Sequence, residues 1–161
     1  MGRFLIYIIT FIVGLVTVAL SVMAYHNFWF WKLAYLDIAI HFLAGMTVAF
    51  LGLIFYFSVV TPRYLRLHFS FSSVLVTALV ATLAVGLIWE LFEFSMDEFW
   101  SAELSVKQLA IMKFTANDSL SDLLFDGLGA LLASLAFWFN WKQKDLIGQS
   151  PSISEINNSN I

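Results

Sequence analysis

Val74-Leu-Val-Thr-Ala-Leu-Val-Ala-Thr-Leu-Ala-Val-Gly-Leu-Ile-Trp-Glu90-Leu-Phe-Glu93-Phe-Ser-Met-Asp97 runs through sixteen uncharged residues before it meets three carboxylates. The spacing of those acids, i, i+3 and i+7, keeps them on one face of a helix. A helix needs about 20 apolar residues to cross the hydrocarbon of a bilayer, and this stretch is long enough. Each ionisable group at the centre of such a span costs roughly 2.5–3.5 kcal/mol on insertion scales. Acids placed here therefore call for a common reason.

Composition extends the same reading to the whole chain. Of its 161 residues, 61% are hydrophobic and only 12% charged, with a mean hydropathy of +0.87. A soluble domain carries about 25% charged residues, so the class is membrane protein. Four apolar segments, at about 4–24, 33–60, 74–97 and 120–139, predict an all-α integral membrane four-helix bundle over residues 1–144. The polar residues 145–161 are expected to form a disordered tail. The second span exceeds what a bilayer requires and is expected to tilt or project. The first begins with Arg3 and ends in Val22-Met23-Ala24, but its apolar run is longer than a signal-peptide core, so it reads as a retained span. Ile6 removes the myristoylation pattern. Residues 101–114 form either a short interfacial helix or a plain loop.

Several function classes drop out. A net charge of −3 without a basic patch gives no nucleic-acid surface. With no cysteine there are no disulfides, thiolate metal sites or thiol nucleophiles. No P-loop, dinucleotide-binding glycine pattern, HExxH or nucleophile elbow occurs.

Loop charges set the expected orientation. With the N-terminus cytoplasmic, that side carries Arg3, Arg63, Arg66, Lys142 and Lys144, against Lys32, Lys107 and Lys113 opposite. The positive-inside bias thus favours a multi-pass cell-membrane protein with both termini in the cytoplasm. Trp29, Trp31, Tyr35 and Trp100 would mark the outer interface, and Tyr64, Trp138 and Trp141 the inner one.

Two further stripes repeat the pattern of Glu90, Glu93 and Asp97. Asp37-Ile-Ala-Ile-His41 opens the second span, and Asp118-Ser-Leu-Ser-Asp122-Leu-Leu-Phe-Asp126 opens the fourth. Consecutive spans alternate direction, so the start of the second and fourth and the end of the third share one depth. In the N-in orientation that depth is the outer leaflet. Below the stripes, Ala78, Thr82 and Gly86, then Gly129, Ala130 and Ala133, then Gly45, Ala49 and Gly52 continue the same faces. Small residues let helices approach closely in lipid, so these faces are expected to point inward. Thr10, Gly14, Thr17 and Ser21 give the uncharged first span a stripe suited to packing.

Seven carboxylates and an imidazole at one depth cannot all be ionised side by side without severe repulsion. Either several share protons or a cation neutralises them. Oxygen ligands suit Mg²⁺, Ca²⁺ or Mn²⁺, and adding His41 brings Zn²⁺ or Fe²⁺ into range. The leading reading is an acidic site that binds a divalent cation through Asp37, His41, Asp122 and Asp126, with Asp97 and Asp118 as outer ligands. If a reaction occurs there, Glu90 or Glu93 serves as general base. The partners would be the lipid bilayer and a polar or amphiphilic, lipid-linked or envelope small molecule. Two other classes stand beside it. One is a proton- or ion-coupled transporter; the other is a non-catalytic assembly or resistance factor whose acids only bond helices together. His26, His68, Glu98 and Glu103 read as solvated residues near the interfaces or in loops.

The order of motifs resembles the YjdF-type small bacterial membrane proteins and, more distantly, the VanZ-like family. Asp37-x-x-x-His41-Phe42 is similar to both groups. Trp89-Glu90-Leu91-Phe92-Glu93 and Asp118-x-x-x-Asp122-x-x-x-Asp126-Gly127-x-Gly129-Ala130 look closer to the YjdF-type pattern. Ile38 and Asp126 stand where VanZ-like proteins usually carry Lys and Asn, and Lys113 is the nearest match to their Arg before Asp118. The resemblance covers roughly residues 33 to 136. Its VanZ-like side implies low-level glycopeptide resistance at the cell envelope; its YjdF-type side implies a fold without a settled activity.

Overall fold

The computed structural model describes residues 2–27, 29, 33, 35–57, 70–104 and 116–148. Four helices account for nearly all of them: α1 (Gly2–His26), α2 (Leu36–Phe55), α3 (Phe71–Leu104) and α4 (Ala116–Gly148). Among the described residues there is no strand and no proline. Backbone amides in hydrocarbon have no water to bond, so helices that satisfy themselves internally are the form this composition dictates.

Each helix contains a stretch long and apolar enough to cross a membrane: Phe4–His26, Leu36–Phe55, Phe71–Ser95 and Asp118–Asn140. The protein is an all-α membrane bundle. The 34 residues of α3 extend about 51 Å at 1.5 Å per residue, well beyond a hydrocarbon core of about 30 Å. Its last turns therefore continue past the membrane stretch, and Ser101–Leu104 belong to α3. Residues 105–115, which hold the rest of the expected interfacial helix or loop, lie outside the described residues. So do Arg63, Arg66, Lys32, Lys107, Lys113, Trp31, Tyr64 and His68. Helix α4 runs to Gly148, beyond the apolar stretch, and the remaining tail lies outside the described residues.

The helices pack through their small residues. The closest pairing is α2 with α4, then α3 with α4 and α2 with α3; α1 leans mainly on α2. A Cβ built on Gly129 would collide with the Phe42 carbonyl oxygen, and one on Gly45 with the Asp126 carbonyl oxygen. Two backbones meet here at a distance that only glycine permits. A Cβ on Gly52 would come within 2.6 Å of the Ala81 Cβ, which brings α3 against the same helix. Farther down, Ala49, Ala78, Ala130 and Ala133 are fully buried. Thr82, also buried, donates its hydroxyl to the Gly45 carbonyl at 3.3 Å.

Polar and apolar ends separate along the bundle. Ile6, Phe50, Leu53, Phe57, Val74 and Phe137 form one apolar cluster, in which the Phe57 and Phe137 rings stack at 5.7 Å. It lies where α1 and α3 begin and α2 and α4 finish, the end away from the acidic stripes. Near the same end Trp138 packs edge-on against Phe71. Phe11, Leu15, Val80, Ile88, Leu120 and Leu124 face outward, as lipid-facing positions do. On α1, Thr10, Thr17 and Ser21 return their hydroxyls to the carbonyls one turn back, so this stripe satisfies itself. Gly14 meets Thr47 at the α1–α2 contact.

Candidate functional site

At the polar end, α2 contributes Asp37 and His41, α3 contributes Glu90 and Glu93, and α4 contributes Asp122 and Asp126. His41 occupies the centre. Its Nε2 lies 3.9 Å from Asp37 Oδ1 and 4.0 Å from Asp122 Oδ2. Its Nδ1 lies 3.6 Å from Asp126 Oδ1. Ligand-capable atoms of Asp37, His41 and Asp122 all fall within 4.8 Å of one another, and so do those of His41, Glu90 and Glu93. Residues from three helices form one cluster.

Burial divides its members. His41, Glu90, Asp122 and Asp126 are buried, whereas Asp37 and Glu93 are partly open. Glu90 is 7% exposed, and its Oε1 has no hydrogen-bond partner. An unsatisfied charged-group oxygen in such a place costs well beyond the 1–3 kcal/mol of an ordinary lost bond, of order several kcal/mol. Glu93 instead accepts a bond from the Trp89 indole Nε1 at 2.7 Å. Trp89 sits one turn before Glu93 and half-exposed, so it holds Glu93 at the rim.

Asp126 is closely confined by neighbouring helices. Its backbone abuts Gly45 of α2, and a Cβ on Gly86 of α3 would stand 2.7 Å from its Oδ2. Glycines on two neighbouring helices thus leave room for one carboxylate, whose other oxygen faces the His41 ring.

The expected site residues separate as follows. Asp37, His41, Glu90, Glu93, Asp122 and Asp126 come together. Asp118 is exposed at the start of α4. Asp97 lies on α3, but its side chain is outside the described residues, as are those of Trp100, Glu98 and Glu103. Reasoning from sequence overlooked Trp89 as part of the site, although its i,i+4 spacing to Glu93 carried the signal. The cradle of Gly45 and Gly86 was visible only as packing.

An imidazole set among five carboxylates can balance one negative charge at most. The remainder must be met by protons or by a cation. Nitrogen and oxygen donors converging from three helices are suited to a divalent metal.

Comparison with curated proteins and with solved structures gives no match. Residues 1–143 match the family described as Predicted membrane protein (DUF2238). This accords with the YjdF-type resemblance and gives no support to the VanZ-like one. With the match spanning nearly every helix of the bundle, the chain belongs to the DUF2238 family of predicted membrane proteins.

Proposed function

We propose that this multi-pass membrane protein binds a divalent cation in the His41 cluster and uses it to handle a polar or amphiphilic envelope molecule at the extracytoplasmic face. The observation that carries the reading is Glu90, a buried carboxylate whose Oε1 has no partner while one of its oxygens lies within 4.8 Å of a His41 nitrogen. Packing alone would satisfy such an atom or exclude it. A cation satisfies it and offsets the repulsion among its neighbours.

In this reading Asp37, His41 and Asp122 take the ion on one side, and Glu90 and Glu93 face it from α3. A bound cation would polarise an oxygen of the molecule being handled or lower the pKa of a water. Glu90, buried and facing the ion, is then placed to accept a proton, with Glu93 nearer the rim. The headgroup of an amphiphile could reach the cluster while its chain stays among the exposed Leu91, Leu120 and Leu124.

Metal analysis of the detergent-purified protein tests this. The wild-type chain should retain a divalent ion in near-stoichiometric amount, and a Glu90→Gln, Asp122→Asn double variant should lose it. Absence of bound metal after exposure to several divalent cations overturns the reading. Proton flux in liposomes that needs no added cation and vanishes with Glu90→Gln would favour the transporter class instead.

A further inference from the structure

The two ring nitrogens of His41 meet different neighbours. Asp37 and Asp122 approach Nε2, whereas Asp126 approaches Nδ1 at 3.6 Å. From this geometry we infer that Asp126 is the residue that orients His41 rather than a ligand, and that the pocket selects a nitrogen-accepting first-row transition ion such as Zn²⁺ over Mg²⁺ and Ca²⁺. The inference rests on the cation-binding reading above and specifies its ion class.

The reasoning starts from the imidazole. A neutral ring carries a proton on one nitrogen and a lone pair on the other. With a cation taking the lone pair of Nε2, the proton lies on Nδ1, where Asp126 is the carboxylate placed to hold it. Here Nε2 is the nitrogen that faces Asp37 and Asp122, so nitrogen and two carboxylates converge on one point. Carboxylates alone would suit Mg²⁺ or Ca²⁺; an aimed imidazole lone pair shifts the preference toward Zn²⁺, Fe²⁺ or Co²⁺.

Asp126 is built for that task. Its backbone is locked against Gly45, and its Oδ2 occupies the space a Gly86 side chain would fill. Held between α2 and α3, the carboxylate has little room to swing around the ring toward Nε2. The unpartnered Oε1 of Glu90, a residue more than nine-tenths buried, is the independent sign that points to a ligand here. Gly86 is then a positioning residue at one remove. An alanine there would press on Oδ2 and on Leu123 Cδ2, side-chain atoms rather than backbone.

The test titrates the full chain in detergent with Zn²⁺ and, separately, Mg²⁺, for wild type, Asp126→Asn and Gly86→Ala. Wild type should bind one Zn²⁺ per chain, and clearly more tightly than Mg²⁺. Asp126→Asn should keep one Zn²⁺ per chain but weaken it about 10- to 100-fold, with Mg²⁺ little changed. Gly86→Ala should move Zn²⁺ in the same direction. Imidazole ¹⁵N spectra of the Zn²⁺-loaded chain should show Nδ1 protonated in wild type, with a second population ligated through Nδ1 in Asp126→Asn. Thermal melting of each variant checks that it folds; should Asp126→Asn fail to fold, Gly86→Ala decides alone. Loss of stoichiometry in Asp126→Asn would make Asp126 a ligand and overturn the inference while leaving the cation site standing. Equal wild-type affinity for Zn²⁺ and Mg²⁺, or unchanged Zn²⁺ affinity in both variants, overturns it as well. A wild-type chain that binds neither ion refutes the cation-binding reading itself.

Discussion

Gly45 on α2 lies so close to Asp126 on α4 that a methyl group on the first would overlap the carbonyl oxygen of the second. A close joint between α2 and α4 and a buried acid of the cluster are therefore the same place. Packing and chemistry are coupled there.

The joint makes a graded prediction. Gly45→Ala and Gly129→Ala force a methyl into backbone, and each should lower stability by about 1–3 kcal/mol or more. Gly127, two residues from Gly129, has nothing within 4 Å of its Cβ direction. Gly127→Ala should be neutral or stabilising by up to about 1 kcal/mol, since alanine is the better helix former. Reversible unfolding in mixed micelles measures all three. Equal losses at the three positions would show that these glycines serve something other than close approach.

Glu90→Gln separates a binding site from structural bonding. Without cation, the variant should melt no lower than wild type, because it removes a buried carboxylate that has an unpartnered oxygen. With a cation at 100 times its dissociation constant, wild type should gain about 2.7 kcal/mol and the variant far less. A variant clearly less stable than wild type in cation-free buffer would mean that Glu90 serves to bond helices.

Trp89→Phe should free Glu93 while keeping most of the ring. Its indole donor is half-exposed, so the fold should change by less than about 1 kcal/mol. Metal stoichiometry should persist, with affinity reduced by up to about tenfold, the lower end for an outer-shell partner. Complete loss of the ion in this variant would move Trp89 from support to necessity.

Orientation can be read independently of the cluster. The chain has no cysteine, so Lys32→Cys and Lys107→Cys each introduce a single thiol. Both should react with a membrane-impermeant maleimide added to intact cells, as the loop charges require. Labelling only after permeabilisation would invert the orientation and place the cluster at the cytoplasmic face.

Much of this was readable from the chain itself, and the reasons differ by feature. Apolar length located the four spans, because lipid demands it of any crossing helix. Helix ends were less visible: α3 and α4 run on to Leu104 and Gly148, where hydropathy marks only the loss of lipid contact. Tyr35, which precedes α2, offers no side-chain cap that could have signalled the start. Spacing within each stripe and alternating direction placed Asp37, Glu90 and Asp122 at one depth. Nothing in a single sequence states how one helix is rotated and slid against another. The pairing of Gly45 with Asp126, the central position of His41 and the clamp at Gly86 are facts of that register, and they emerge only in three dimensions.

The uneven burial of the six residues has a directional meaning. Asp37 and Glu93 are open enough to meet water, while His41, Glu90, Asp122 and Asp126 are closed in. The glycine seam bars the way between α2 and α4, and the apolar cluster bars it from the far end. In the cation-binding reading Asp37 and Glu93 are the threshold at which an entering ion first exchanges water for carboxylate oxygen, so their substitution should slow loading as well as weaken holding.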